Sequence, residues 1–376
     1  MVIAGGIGLL AGVFVLGLHN WRLGALFLIG GLLGITLYHG AFGFTAAYRR
    51  AIVRRDVSGV TAQLIMIGLA SALFAPALAA GAAFGQPVVG AIAPIGLQVA
   101  VGSFLFGVGM QLAGGCGSGT LYTLGGGSVR MAVTLIAFCA GGFLASLDMA
   151  RWAAAPSWGR ISIIDEFGWQ GALGIQFGTL LLLWLGLRWW ALGREQRRLW
   201  DEVLDWRRLI AGPWPLLLSA GLLAVLNWLT LLIAGHPWSI TWAFTLWGAK
   251  VASIFGWDPA TSGFWNGGFP ARAFAGGILQ DVTSIMDIGI LLGALTAAGL
   301  AEKFAPSLRI SWRAIVAAAL GGLLMGYGAR IAFGCNIGAF FSGAASMSLH
   351  GWLWILCAIP GIWLGVRLRP MFGLRN

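Results

Sequence analysis

Two cysteines stand in the same short pattern. The segment GVGMQLAGGCGSG (107 to 119) lies over GYGARIAFGCNIG (326 to 338) a constant 219 residues on, with Gly107/Gly326, Gly109/Gly328, Ala113/Ala332, Gly115/Gly334, Cys116/Cys335 and Gly119/Gly338 identical. Each cysteine follows an apolar run and is flanked by glycine, a poor helix former, so the backbone is expected to break there. A helix broken inside a bilayer needs its freed polar groups satisfied by neighbours, cavity water or a ligand. The half-helix that follows presents several N–H groups and about half a positive charge to an anion. A thiol adds a weak S–H donor and a polarizable sulfur, which suits a sulfur-containing anion better than a hard oxyanion. A neutral thiol does not repel an anion as a thiolate would, and weak binding allows release.

The expected site therefore comprises Cys116 and Cys335 with Gly115, Gly117 and Gly334 around them. Asn336 adjoins the second thiol, and Arg330 precedes it by five residues in an otherwise apolar helix, where an arginine is costly and a functional candidate by default. The alternative for Arg330 is snorkelling to a headgroup. Its counterpart in the first copy is Gln111, so a cation on one side would face a neutral donor on the other. Ser118, Thr120, Thr123 and Ser128, like Ser342, Ser346 and Ser348, either donate to an anion or bridge helices. Cys139 and Cys357 also correspond but sit in ordinary apolar sequence, and packing is the expected role. Asp56 and Asp281 read as caps, Asp287 is a lesser candidate for carrying a proton, and His350 is expected at the membrane interface.

The elements that position these residues are membrane spans. Hydrophobic types make up 59% of the 376 residues, charged types 9%, and the mean hydropathy is +0.87, against roughly 25% charged residues in soluble domains. The chain is all-α and integral to a membrane. Sixty glycines, without collagen period, permit close helix packing and non-helical backbone within the bilayer. The net charge of +11 reflects basic loops on one face rather than a nucleic-acid partner. Four cysteines without a CxxC or Cys/His pattern predict free thiols and no metal or other cofactor. The apolar N-terminus has no clear cleavage site and is expected to remain as a first span. With no P-loop or soluble domain, direct ATP coupling within the chain is excluded.

Eleven apolar segments lie approximately at 3–18, 22–38, 59–85, 95–113, 131–148, 171–191, 213–234, 239–256, 286–301, 314–330 and 351–366, interrupted by one charged stretch from Arg188 to Arg208. The cysteine motifs make the chain a duplication: residues 1–170 as the first repeat, 171–212 as a linker helix and basic cytoplasmic loop, and 213–376 as the second. GFTAAYRRAIVRRD (43 to 56) matches GFPARAFAGGILQD (268 to 281), and His19/Trp21 match His236/Trp238 more weakly. Residues 49–55 carry four arginines and 274–280 none, so the copies are expected to face opposite sides. Inversion needs an odd number of crossings per copy. Treating 22–38 and 239–256 as short re-entrant helices leaves about nine transmembrane helices, with the N-terminus periplasmic, the C-terminus cytoplasmic and eighteen of the twenty-three basic residues inside. Inverted repeats with broken helices are a recurrent transporter plan.

At these residues the sequence resembles the YeeE/YedE family, a sulphur-transport family associated with thiosulfate uptake. The resemblance is carried by GARIAFGCNIGAFFSGAASMSLHGWLW (328 to 354) and, more weakly, by GMQLAGGCGSGTLYTLGGGS (109 to 128). It implies an hourglass-shaped inverted-repeat permease of the bacterial inner membrane, with lipid around it, whose central cysteines pass thiosulfate inward; those roles fall on Cys116 and Cys335. Many members have a third central cysteine near the first GF motif, where this chain has Thr45. Other branches are assigned to other sulfur compounds or linked to selenium metabolism. Members are often paired with a TusA-like cytoplasmic sulfur carrier, and the basic face would be its docking place. The alternative is a membrane thiol protein that passes sulfur, selenium or electrons through Cys116 and Cys335 by persulfide or disulfide chemistry. A neutral-solute channel fits the glycine content but gives the paired cysteines no role.

Overall fold

The computed structural model describes residues 1–200 and 204–376; Asp201 and Glu202 of the charged stretch lie outside the described residues. In chain order the elements are α1 (Val2–His19), α2 (Trp21–His39), α3 (Phe44–Arg54), α4 (Ser58–Ala80), the paired β1 (Ala82–Ala83) and β2 (Gln86–Pro87), β3 (Pro94–Gly96), α5 (Leu97–Ala113), α6 (Gly117–Gly125), α7 (Val129–Leu147) and α8 (Met149–Ala153). They continue with β4 (Ser157–Arg160), antiparallel to β3, then α9 (Ile163–Trp190), α10 (Trp206–Ala211), α11 (Leu216–Ala234), α12 (Thr241–Ile254), α13 (Gly268–Ala275), α14 (Val282–Leu300) and α15 (Trp312–Ile331). A π-helical turn, Asn336–Phe341, runs on into α16 (Ser342–Ala345), and α17 (Leu349–Leu368) closes the bundle. The chain is an all-α multi-pass membrane protein. Among the described residues ten stretches, built on α1, α2, α4, α5, α7, α9, α11, α14, α15 and α17, are long and apolar enough to cross a membrane.

The ends of the bundle are defined by loop contacts. At the hairpin end, Gln86 donates to the carbonyl of Ile233 at the close of α11 (2.6 Å), Arg22 at the start of α2 donates to Phe84 (2.6 Å), and Ile163 donates to Met347 (2.9 Å). At the opposite, arginine end, Arg130 at the start of α7 reaches Leu112 and Arg369 beyond α17 reaches Gln111, both at 2.6 Å.

Glycine sets how closely the crossings approach. Cβ atoms on Gly102 and Gly109 would come within 2.6 Å of the carbonyls of Gly328 and Gly321, so α5 and α15 touch backbone to backbone and run antiparallel. Gly361 and Gly365 of α17 meet Phe104 and Val108 of α5 in parallel order, and Gly322 and Gly326 of α15 meet Thr134 and Phe138 of α7 likewise. The cysteine-bearing copies thus run in opposite directions and interlock.

Two expectations change. Segment 22–38 is not re-entrant: α2 has 19 residues and packs along α14 through Gly30 against Met286 and Gly34 against Ile290, so it crosses. What re-enters beside it is α3, with a buried N-end and an exposed C-end; α12, at 14 residues, is the matching short element in the second half. With ten crossings instead of nine, both chain ends lie at the arginine end, Val2 against Gly299 and Arg369 on Gln111. Arg22 lies at the hairpin end, leaving seventeen of the twenty-three basic residues at the arginine end.

The packing pairs also regroup the helices. α1 crosses α14 antiparallel, with Gly5 against Thr296, and α9 crosses α4 antiparallel, with Gln176 donating to Ser71 (3.1 Å) and Leu180 on Gly68. The His19/Trp21 and His236/Trp238 match has no structural counterpart: Trp21 opens α2 at 53% exposure, whereas Trp238 is fully buried ahead of α12. Asp56 and Asp281 do correspond, each accepting from the first turn of α4 or α14 (Ser58 N, 3.2 Å; Ser284 N, 2.8 Å). Burial opposes the charge on Asp56, but Ser58 and Arg50 outweigh it and hold its carboxyl below the usual range.

Bulk at the α5–α15 contact has nowhere to go. Gly109→Leu is expected to abolish the monodisperse peak in detergent size-exclusion chromatography, whereas Gly178→Leu in α9, where a Cβ meets nothing within 4 Å, should leave it intact.

Candidate functional site

Each cysteine is the residue that begins a half-helix. Gly114 (φ +86°) ends α5, and Phe333 (φ +60°) and Gly334 (φ +147°) follow α15, so in both copies the helix breaks just before the thiol. Cys116 (φ −90°, ψ −165°) then opens α6 and Cys335 (φ −105°, ψ −163°) opens the π-helical turn, almost the same backbone in the two copies. Both are free and buried, 1% and 0% exposed. The carbonyls that α5 loses at its break are taken by Arg130 and Arg369, cations where a helix C-terminus favours them.

The structure brings the two breaks together. A Cβ on Gly117 would lie 3.0 Å from Cys335 Sγ, so the second thiol rests on the first residue of α6. Cys335 Sγ accepts from Ile337 N (3.4 Å), and Cys116 Sγ lies 3.5 Å from Ser118 Oγ. Gly334 is required in its place, since a Cβ there would approach Ala339 N to 2.7 Å, and its carbonyl accepts from Trp354 Nε1 (3.2 Å). Gly115 is tightly packed against the backbone of Gly119 and Thr120. The copies differ in one respect: Cys116 O accepts from Thr120 N at 2.8 Å, whereas Cys335 O is shared by Ala339 N (3.0 Å) and Phe340 N (3.3 Å), straddling α and π spacing.

Two more half-helices aim their buried ends inward. Ile240 and Thr241, at the start of α12, come within 3.6 Å of a Cβ on Gly117. Thr45, at the start of α3, gives its carbonyl to Gln111 Nε2 (3.1 Å), and its hydroxyl has no partner. Four helix N-termini therefore surround a region with two neutral thiols, and their N–H groups supply positive potential without a fixed ion. Asn336 is fully buried with neither amide atom partnered, and Gln111 Oε1 is likewise unpartnered. Polar atoms buried without partners are costly, and Thr45, Gln111 and Asn336 each hold at least one.

Arg330 lies toward the hairpin end, separate from Gln111. Its guanidinium stands over Phe264 (5.2 Å) and Trp242 (5.7 Å) and lines a cavity of about 260 Å³ with Ser239, Thr241, Phe333 and Gly334. Held between rings, it faces the cavity next to Cys335 instead of a headgroup. The aromatic pair leaves no signature in the sequence, where Trp242 and Phe264 stand apart from each other and from Arg330. Tyr122, whose hydroxyl a Cβ on Gly43 would meet at 3.1 Å, was also missed and leaves no signal in spacing. His350 is not interfacial: it is fully buried, with Nδ1 2.8 Å from Ser348 Oγ. Cys139 and Cys357 sit within α7 and α17, partly exposed and apart from the breaks.

Ten apolar crossings in two interlocked, oppositely directed sets, with broken helices at the centre, make a multi-pass membrane protein on a plan that recurs among transporters. The chain belongs to the Sulphur transport family, which matches residues 39–364. It is 27% identical over 363 residues to the Thiosulfate transporter TsuA of Spirochaeta thermophila, covering 89% of this chain and 96% of that one. The Thiosulfate transporter TsuA of Escherichia coli is 24% identical over 91% of this chain and 94% of its own length. The Probable transporter YedE of Escherichia coli is 32% identical over 163 residues, 43% of this chain, which covers only 39% of that relative. The relatives it matches are named as transporters, and the chain spans less than half the length of the YedE relatives.

The contact between the second thiol and α6 is sensitive to one methyl group. Gly117→Ala is expected to leave the protein folded and lower anion flux about tenfold, since displacing Cys335 Sγ removes a hydrogen bond worth about 1.5 kcal/mol at a charged ligand. Initial rates in proteoliposomes, normalised to inserted protein, measure it.

Proposed function

We propose that the chain is a permease of the bacterial inner membrane that carries thiosulfate from the periplasm to the cytoplasm along a path past Arg330, Cys335 and Cys116. The observation that carries this reading is the meeting of two half-helix N-termini, each begun by a neutral thiol, with Cys335 Sγ against Gly117. The two full-length relatives named as thiosulfate transporters support the substrate. Arg330, between two rings beside the cavity of the hairpin end, attracts the dianion. The half-helices and thiols then replace its hydration with S–H and N–H hydrogen bonds weak enough to release it. Asn336, Gln111 and Thr45 line the same route and donate or accept with the atoms they hold unpartnered. A TusA-like sulfur carrier in the cytoplasm would take the anion or its sulfur at the basic face.

The arginine end is cytoplasmic in this reading, because seventeen of the twenty-three basic residues lie there. Both termini are then cytoplasmic. The duplicated unit runs from α1 to α7 and again from α9 to α17, with the former linker helix as the first crossing of the second copy, five crossings each. Fusions of alkaline phosphatase at either terminus are expected to be inactive and fusions of green fluorescent protein fluorescent. An active phosphatase at the N-terminus would restore the nine-crossing arrangement.

Growth separates substrate from mechanism. In a bacterium lacking sulfate and thiosulfate uptake, the wild type is expected to restore growth on thiosulfate as sole sulfur source, and Cys116→Ala and Cys335→Ala are each expected to abolish it, with equal protein in the membrane. Growth with both alanine variants removes the cysteines from the path; no growth with wild type removes thiosulfate. A persulfide on either thiol in resting protein, seen by mass spectrometry, favours sulfur relay by covalent chemistry over permeation.

A further inference from the structure

Asp287 is a carboxyl that packing does not explain. It is fully buried in α14, both oxygens lack a hydrogen-bond partner, and α14 packs closely on α6, the half-helix that Cys116 opens, with Gly125 against Leu291. At the level set by Asp56 and Asp281, its counterpart in α4 is Ala62, also fully buried, so the position itself needs no polar group. A bare carboxylate without donors at this depth is prohibitively unfavourable, whereas a protonated one is tolerated.

A route for the proton exists at one end. Asp281 caps α14 and lines a second cavity at the hairpin end, about 270 Å³, with His236, Arg272 and Thr283. Asp287 lies six residues further along the same helix, about 9 Å deeper, with Ser284 between them. The elements packed on α14 bring few other charges. α2 offers Gly30 opposite Met286, with Arg22 and His39 at its far ends. Lys250 of α12 is engaged by the carbonyls of Phe274 and Gly276, α6 contributes Tyr122, α10 lies at the arginine end, and α1 has only His19 at its close.

We propose that Asp287 carries a proton inward together with the anion, making transport proton-coupled. This rests on the permease reading above. The carboxyl ionises only while water from one side hydrates it: the carboxylate takes its proton from water of the hairpin-end cavity, forming the O–H bond as the anion reaches the thiols, and that bond breaks to water admitted from the arginine side as the anion leaves. An anion at Cys335 favours the protonated carboxyl, and by reciprocity the protonated carboxyl favours the anion. Against an inside-negative potential, which opposes each negative charge by about 2.3 kcal/mol per 100 mV, a carried proton cancels one charge.

The test uses the full chain in proteoliposomes with the potential clamped by potassium and valinomycin, radiolabelled thiosulfate outside and a pH dye inside. Wild type is expected to acidify the lumen as thiosulfate accumulates. An imposed gradient, acid outside, should raise the accumulation about tenfold per pH unit for one proton per anion. Asp287→Asn should lose both effects yet keep thiosulfate exchange at equal pH, and Asp287→Glu should keep all three. Thiosulfate flux in wild type without proton movement, or acid-driven accumulation by Asp287→Asn, overturns the coupling alone. Absence of thiosulfate flux in wild type overturns the permease reading and the coupling with it. If Asp287→Asn also loses exchange, the wild-type proton flux and gradient response decide the matter.

Discussion

Backbone hydrogen bonding inside a membrane is the constraint from which the rest follows. A helix that stops within the bilayer abandons carbonyls on one side of the break and N–H groups on the other, and each abandoned group costs several kcal/mol in hydrocarbon. Here the carbonyl side is settled with protein: Arg130 and Arg369 take the last carbonyls of α5, and Trp354 takes that of Gly334. The N–H side is turned to the centre, where Thr241, Asn336 and the thiols converge. At the breaks the backbone acceptors are bonded by side chains and the helix N-termini face the centre, an arrangement that favours an anion.

Inversion makes this economical. A single break gives one half-helix and one thiol; the oppositely directed copy supplies the second from the other side, so the donors face each other across a short distance. Glycine is what lets the copies interlock this closely, as at Gly102 with Gly328 and Gly109 with Gly321. In lipid the hydrophobic effect does not hold helices together, and close backbone approach with dispersion takes its place. The sixty glycines therefore do two separate jobs, closing the scaffold and opening the path.

The cysteine motifs were legible because the chemistry and the duplication coincide on them: six identities in thirteen positions showed which helices correspond and where they break, and the unequal arginines of 49–55 and 274–280 showed that the copies oppose. The crossing number was not, because hydropathy scores apolar length and is blind to depth. Segments 22–38 and 239–256 look alike as apolar runs, yet α2 is held along its length by α14 while α12 stops after 14 residues. The weak His/Trp match misled for a similar reason, since two tryptophans alike in sequence sit at an exposed helix start and in a sealed core. The Arg330 box was invisible because Phe264 and Trp242 are far from Arg330 in sequence and meet it only through the packing of α12 on α15.

The asymmetry between the copies then gains a physical meaning. Arg330 in one copy corresponds to Gln111 in the other, and the π spacing after Cys335 to regular helix after Cys116. A perfectly symmetric pair of half-sites would hold an anion equally from both ends and give it no preferred direction of capture. On the proposed path, the buried guanidinium of Arg330 ahead of the thiols raises the local concentration of anion on that side, and the dipoles around the thiols keep the binding there shallow. The carbonyl of Cys335, shared between two amide donors, is the point where the second half-helix is least committed to one geometry. A small shift between those donors would move the sulfur that closes on Gly117, so on the proposed path the residue that meets the anion is also the one best able to let it pass.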